Sequence, residues 1–287
     1  MLGEVLSIID THSTHNNILD GTLGLGGYSE AMLARFPGSH VLGIDRDTQA
    51  IAFSLERLKP YGERFEAVHA NFSTLKDIIT IHGDFDAYVF DLGVSNMQLT
   101  LPERGFSFSS DGALDMRMNT SGDDMTAAEI LRCSSIEELT RIFRDYGEER
   151  FAHQIAKAVK NSKTPIDTTG GLVSLIRSAL PQPVQRKMGT HPARRVFQAL
   201  RICVNHEMQE LEDLLKVLHD IKSMSVIIFV SYHSLEDRLI KIAFREWQKD
   251  SKGTILTRHP MTPSEEETER NYKARSAKLR AFLMNFN

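Results

Sequence analysis

The sequence predicts an α/β fold on a mostly parallel sheet, interrupted by an all-helical segment, and three observations carry that prediction. Short apolar runs alternate with helical patterns from Asn17 to Asp91, as in a parallel sheet with helices on both faces. Strand patterning disappears from about Ser95 to His219. It returns at Val226–Val230 (V-I-I-F-V), an unbroken apolar run suited to a strand buried on both faces.

Asn17–Asp20 (N-I-L-D) reads as the first strand, ending in an acid and a glycine-rich turn before helical spacing over Ser29–Phe36. Val41–Asp45 is the second strand, Thr48–Lys59 a helix, Phe65–His69 the third strand and Ala87–Asp91 the fourth. Ala127–Val159, Leu172–Leu180, Ala193–Asn205 and His206–Asp220 all read as helical, with no strand between them. After the fifth strand come an amphipathic helix over Leu235–Gln248 and two segments, Thr254–Arg258 and Leu279–Met284, that pair as a terminal antiparallel ribbon. The predicted organisation is a first core segment over 1–100, a helical insertion over 101–215 and a second core segment over 216–287.

Composition narrows the function classes. The chain has 287 residues, 41% hydrophobic and 25% charged, which excludes disordered, collagen-like and coiled-coil proteins. No apolar run approaches the roughly 20 residues that span a bilayer, so no membrane partner and a cytoplasmic location are expected. Cys133 and Cys203 read as buried thiols outside any C-x-x-C pair, and no metal site is predicted. A net charge of −4 means that any polyanion must be held by local patches. Two acid-free stretches qualify: Arg186, Lys187, Arg194, Arg195 and Arg201, and then Arg270, Lys273, Arg275, Lys278 and Arg280.

In an open parallel sheet, ligands bind beyond the carboxyl ends of the strands. Three predicted strands end in aspartate there: Asp20, Asp45 and Asp91. The turn Asp20–Gly27 (D-G-T-L-G-L-G-G) brings backbone close to a ligand through Gly24, Gly26 and Gly27. Such a turn serves NAD, other nucleotides and S-adenosylmethionine alike, and Asp45 is placed to accept from ribose hydroxyls in any of them. Asp20 discriminates, because a dinucleotide would set its pyrophosphate against that carboxylate, whereas S-adenosylmethionine offers an ammonium and a sulfonium. Helix capping by these acids is the competing structural explanation, and it weakens when three occur at matching strand ends.

Eight blocks carry a specific resemblance: Asp20–Tyr28, Asp91–Leu99 (D-L-G-V-S-N-M-Q-L), Glu103–Phe108, Leu114–Met118, Tyr146–Arg150, Phe197–Ile202, His233–Arg238 and Ala274–Arg280. In order and over nearly the whole chain, they resemble the MraW/RsmH family of bacterial S-adenosylmethionine-dependent methyltransferases. The resemblance implies a class I methyltransferase (Rossmann-like) sheet with a helical insertion, S-adenosyl-L-methionine as cofactor, and methylation of the N4 amine of a decoding-centre cytidine. The implied partner is 16S rRNA within the small ribosomal subunit, and homo-oligomerisation is left open. Its cofactor contacts map onto Gly26, Gly27, Tyr28, Asp45, Phe72, Asp91 and Gln98, with Phe72 placed to stack on adenine.

The chain departs from the family pattern at several positions. Tyr28 stands where a His is usual, Asn96 replaces a Ser, Arg194 and Val196 replace two Thr, and Tyr272 replaces a Pro. The usual His-x-Pro-Val before Met1–Leu6 is missing, which points to a start upstream or a trimmed chain.

An exocyclic cytosine amine is a poor nucleophile, because its lone pair is delocalised into the ring. Acceptors on its hydrogens localise that pair, and Asp91 and Asn96 are the candidate catalytic residues. A stacked cytosine must also be flipped out, and Arg194, Arg195, Arg201 and His233 are the candidate substrate contacts. For His233 and Asp237 three readings compete, namely base contact, metal pair and helix cap. The cap leads, with Ser234, Glu236 and Asp237 in a first helical turn. Met97, Met116 and Met118 read as core packing. A methyltransferase acting on another RNA or DNA amine, an NAD-dependent oxidoreductase and a non-catalytic RNA-binding module remain as alternatives.

Overall fold

The computed structural model describes residues 1–187 and 191–286, apart from the side chains of Val184, Lys187, Tyr272 and Lys273. In chain order the first part runs α1 (Leu2–His12), β1 (Asn17–Asp20), α2 (Gly27–Arg35), β2 (His40–Asp45), α3 (Thr48–Leu58), β3 (Phe65–His69), α4 (Leu75–His82) and β4 (Ala87–Asp91). The helices α5 (Asn96–Thr100), α6 (Ala127–Cys133), α7 (Ile136–Asp145), α8 (Ala152–Lys160), α9 (Thr169–Ala179), α10 (Gln182–Lys187), α11 (Arg194–Val204) and α12 (Glu207–His219) follow. The chain closes with β5 (Ser225–Ser231), α13 (Ser234–Lys249), β6 (Gly253–Ile255), α14 (Glu265–Arg270) and β7 (Lys278–Met284). No helix among the described residues is long and apolar enough to cross a membrane.

Two compact units result. One joins Met1–Gly93 to Met208–Asn287, and the other is Val94–Glu207. The return to the sheet unit therefore falls earlier than the 215/216 boundary that patterning suggests. The reason is packing: Leu211, Leu214, Leu215 and Leu218 of α12 join the sheet core with Leu19, Tyr88, Phe229 and Phe282.

The sheet unit holds seven strands in the order β3-β2-β1-β4-β5-β7-β6. β1 through β5 pair in parallel, and β7 runs antiparallel to both β5 and β6. The terminal ribbon expected from the sequence exists, but β7 is also wedged against β5 over the full Ser225↔Met284 to Ser231↔Lys278 register. Every residue of β5 is buried, as its continuous apolar run requires. One face of the sheet carries the core of Leu19, Phe90, Phe229, Phe244 and Trp247, and the other that of Val5, Ile9, Ile18, Val89 and Ile228.

α1 and α4 have no counterpart in the sequence reading, because each buries just two residues, Val5 and Ile9 in α1 and Leu75 and Ile78 in α4. Two burial points are too few for a helical period to stand out.

The helical unit has its own core, with Phe106, Leu139, Phe143, Ile155, Leu172, Ile176, Phe197 and Leu200 among its members. Met116 and Met118 lie inside it, as expected of core packing. Its helices α5, α6 and α7 start on reciprocal caps: Ser95 with Gln98, Thr126 with Glu129, and Ser135 with Glu138. Each satisfies two otherwise orphaned N–H groups. Cys203 is partly buried, but Cys133 is exposed at the end of α6, against the buried thiol expected there. The apolar positions of that short helix are already met by Ala127, Ile130 and Leu131.

Candidate active site at the carboxyl edge of the sheet

Strand order reverses between β1 and β4, which neighbour each other although β2 and β3 intervene in sequence. That is where a parallel sheet opens a crevice for ligands. Register fixes how the three acids stand around it. Asp20 pairs with Gly43 on β2 and Val89 on β4, so Asp45 and Asp91 each extend two residues beyond it on the flanking strands. Two residues amount to about 6.6 Å of strand, enough to set the outer carboxylates above the central one.

The central acid is fully buried. Asp20 accepts from the Ser29 hydroxyl at 2.6 Å and from the Thr22 N–H at 3.3 Å. Burial still pushes its carboxyl up to about 6, and the Asp45 charge adds to the rise. Asp45 accepts from the Gly24 N–H and the Asp47 N–H, both at 2.8 Å. Each of its oxygens keeps a lone pair for a further donor such as a ribose hydroxyl, and burial again raises its ionisation. Asp91 accepts from the Tyr232 hydroxyl at 2.8 Å, and burial, reinforced by Asp20, pushes it up to about 7. The Thr22 hydroxyl meanwhile accepts from the Asp91 N–H at 2.6 Å, tying the first turn to the fourth strand.

The glycine-rich turn is shaped by backbone. Gly26 sits at φ 77° as the cap of α2, a left-handed conformation that side chains disfavour, and a Cβ there would lie 3.2 Å from the Ser54 hydroxyl. Gly27 opens the helix with free space where a Cβ would be. Tyr28 follows, partly buried against the core, its phenol driven far up by burial and by the neighbouring Asp91 and Asp20 charges. Phe72 begins a short turn after β3 and meets Phe90 edge-to-face at 5.7 Å.

The sheet unit thus brings together Asp20, Gly24, Gly26, Gly27, Tyr28, Asp45, Phe72 and Asp91. Asn96 and Gln98 belong to the helical unit, where Asn96 opens α5 and Gln98 is spent on the Ser95 cap. His233 proves to be the N-cap of α13, in a reciprocal box with Glu236, so the cap begins one residue before the expected Ser234.

The basic residues divide sharply. Arg194 and Arg186 are exposed, and Arg195 reaches the Glu148 carbonyl at 3.1 Å. Arg201 is instead held by both oxygens of Glu207, at 2.8 and 2.7 Å, with 15% of its side chain exposed. An arginine held this way, by both oxygens of one carboxylate, is engaged in a structural ion pair within the helical unit. Two cations of the C-terminal stretch are engaged in the same way. Arg280 and Lys278 both bind Asp237, at 2.7 and 3.1 Å. The side chains of Lys187 and Lys273 lie outside the described residues.

Sequence reasoning did not single out Tyr232 or Ser29, the two hydroxyls that donate to Asp91 and Asp20. Tyr232 lies one residue past β5, and its signal was its place beside the His233–Arg238 block.

A reversed-order sheet with uncompensated acids over a glycine turn fits a ligand that carries positive charge and a ribose, and rejects a pyrophosphate. Those are the features of a class I S-adenosylmethionine-dependent methyltransferase. The chain belongs to the MraW methylase family, whose model matches residues 1–284. Over 286 residues it is 45% identical to the ribosomal RNA small subunit methyltransferase H of Thermobifida fusca (strain YX), covering 92% of this chain and 85% of that protein. It is 42% identical over 285 residues to the protein of the same name from Oleidesulfovibrio alaskensis, covering 92% and 87%. The corresponding protein of Picosynechococcus sp. is 46% identical over 264 residues, covering 91% and 88%. Family membership removes the oxidoreductase and the non-catalytic RNA-binding module from consideration.

Proposed function

We propose that this chain methylates the exocyclic N4 amine of a decoding-centre cytidine in the 16S rRNA of the small ribosomal subunit. The carrying observation is the set of three strand-end carboxylates, with Asp20 raised to about 6 and Asp91 to about 7 and no basic side chain hydrogen-bonded to either among the described residues. The names of the relatives support an rRNA substrate, and the sequence resemblance supports the N4 position.

When bound, S-adenosylmethionine supplies a methyl carbon made electrophilic by its sulfonium. In this reading Asp45 holds the ribose with the lone pairs that Gly24 and Asp47 leave free. Phe72 and Tyr28 bracket the base and the amino-acid moiety, and the sequence resemblance adds Gln98 to the contacts. Asp20 balances positive charge from beneath.

Asp91 accepts a hydrogen bond from the substrate N–H, which localises the amine lone pair, and Asn96 supplies the second acceptor. A carboxyl raised to about 7 is also well matched to taking the proton that the amine sheds. The exposed Arg186 and Arg194, with Arg195, hold phosphates around the flipped nucleotide.

The deciding measurement is mass spectrometry of nucleosides from 16S rRNA of cells with and without the protein. The expected result is one N4-methylated cytidine lost with the gene and restored by the purified protein with S-adenosylmethionine. An unchanged nucleoside profile overturns the assignment.

A further inference from the structure

Asp91 lies among groups that both oppose and favour its charge. Asp20 on the adjacent strand and Glu236 in the first turn of α13 are carboxylates, Tyr28 and Tyr232 are phenols, and the Met1 α-amino group contributes positive charge. Burial first, and then Asp20 and Glu236, push the Asp91 carboxyl up to about 7, while the Tyr232 hydrogen bond and the Met1 amine act the other way. Near neutral pH such a group is partly protonated, and the protonated form attracts neither a cation nor an amine N–H as well.

Tyr232 works against that tendency from a fixed place. Its hydroxyl donates to Asp91 Oδ1 at 2.8 Å, and burial together with the Asp91 charge drives its own ionisation far above the ordinary phenol range. It is therefore a permanent donor. Its backbone N–H donates to Glu236 Oε2 at 2.9 Å, which fastens it to the cap of α13. On its other side the chain leaves β4 through Gly93, at φ 105°, where a Cβ would stand 3.5 Å from the Tyr232 ring. The positive φ is what favours glycine there, since a Cβ would meet the ring only at ordinary van der Waals distance.

We propose that Tyr232 is a positioning residue: by donating to Asp91 Oδ1 it keeps that carboxylate ionised and leaves Oδ2 as the acceptor for the cofactor ammonium or the substrate amine. Glu236 thereby couples the start of α13 to the reacting end of β4. The inference rests on the cofactor site described above.

The test is the pH dependence of S-adenosylhomocysteine binding, followed by calorimetry from about pH 5.5 to about pH 9, for the parent chain, Tyr232→Phe and Asp91→Asn. The parent should lose affinity as pH falls through the Asp91 ionisation. In Tyr232→Phe that limb should move up by roughly half to one unit, so that affinity near neutrality falls about three- to tenfold and recovers at high pH. Asp91→Asn should bind weakly with no such limb. A limb unmoved in Tyr232→Phe, or a loss of affinity equal at every pH, overturns the inference. Absence of binding by the parent at every pH would sink the cofactor-site reading itself.

Should Tyr232→Phe fail to fold, the parent labelled at tyrosine Cζ decides. A tyrosine resonance should follow the Asp91 ionisation in Tyr28→Phe as in the parent and cease to do so in Asp91→Asn, and no such resonance in Tyr28→Phe would overturn the proposal.

Discussion

Two sets of shielded carboxylates in the sheet unit, three at strand ends and one on α13, have opposite characters. At the β1–β4 edge, Asp20, Asp45 and Asp91 are held by hydroxyls and backbone N–H groups, and burial raises all three. On the α13–β7 side, Asp237 is also shielded, and burial alone would raise it. Hydrogen bonds from Arg280 and Lys278 outweigh that effect and hold it below the usual carboxylate range. The α13 carboxylate is neutralised by cations of the protein itself, whereas no basic side chain is hydrogen-bonded to Asp20 or Asp91 among the described residues. In the proposed function, positive charge from outside is favoured at the first edge because burial leaves its carboxylates strained when ionised.

The largest expected effect comes from unpairing Asp237. Arg280→Ala removes a guanidinium with 7% of its side chain exposed and leaves Asp237 with Lys278 alone. A loss of about 3 kcal/mol in denaturant unfolding should follow, since unpairing a buried charge is costly. A loss under about 1 kcal/mol would show that Lys278 suffices.

Next in size is the hold of the strand-end acids on the proposed cofactor. Asp45→Ala should weaken S-adenosylhomocysteine binding by roughly 1.5–3 kcal/mol, the scale of charge-assisted hydrogen bonds, in a chain that remains folded. Unchanged calorimetric affinity would remove Asp45 from the site.

The pH dependence of stability should separate the two sets by sign. Asp20 and Asp91 ionise higher in the folded chain, at about 6 and about 7, than the ordinary 3.8, so between roughly pH 4 and pH 7 the folded state holds more protons than the unfolded one. Their contribution to stability declines as pH rises through that window. Asp237 behaves conversely: its contribution is present above the unfolded value and is lost as pH falls through its depressed folded one. Asp91→Asn should accordingly raise the stability of the ligand-free protein at pH 8 by on the order of 1 kcal/mol and leave it unchanged near pH 4. Equal effects at both pH values would contradict the assignment of the raised group.

The smallest effects per residue are expected in the helical unit, where the same contrast recurs between free and committed arginines. Removing Arg186 or Arg194, both exposed, should each lower the salt slope of RNA binding by slightly under one unit on a duplex and by less on a single strand. Arg201→Ala, which breaks the Glu207 pair, should cost stability and leave the slope unchanged. A slope that falls with Arg201 but not with Arg194 would reverse the division.

Much of this was legible in the chain itself, for physical reasons. A strand buried on both faces needs an apolar run, so Val226–Val230 was visible, and an acid closing each of three apolar runs made Asp20, Asp45 and Asp91 visible as strand ends. The eight family blocks carried the resemblance to the family whose model matches residues 1–284. α1 and α4 were not legible, because two buried residues make no period.

What tertiary structure alone decided was pairing. Arg194 and Arg201 are the same residue type in one helix, and only the fold brings Glu207 to one and leaves the other exposed. Arg280 read as a free cation until β7 proved to lie beside β5, within reach of Asp237. Tyr232 finds Asp91 across 141 positions of sequence. Local pattern records what each residue must bury or expose, whereas the partner of a charge or hydroxyl depends on which strands become neighbours, and that is set by the packing of the whole sheet.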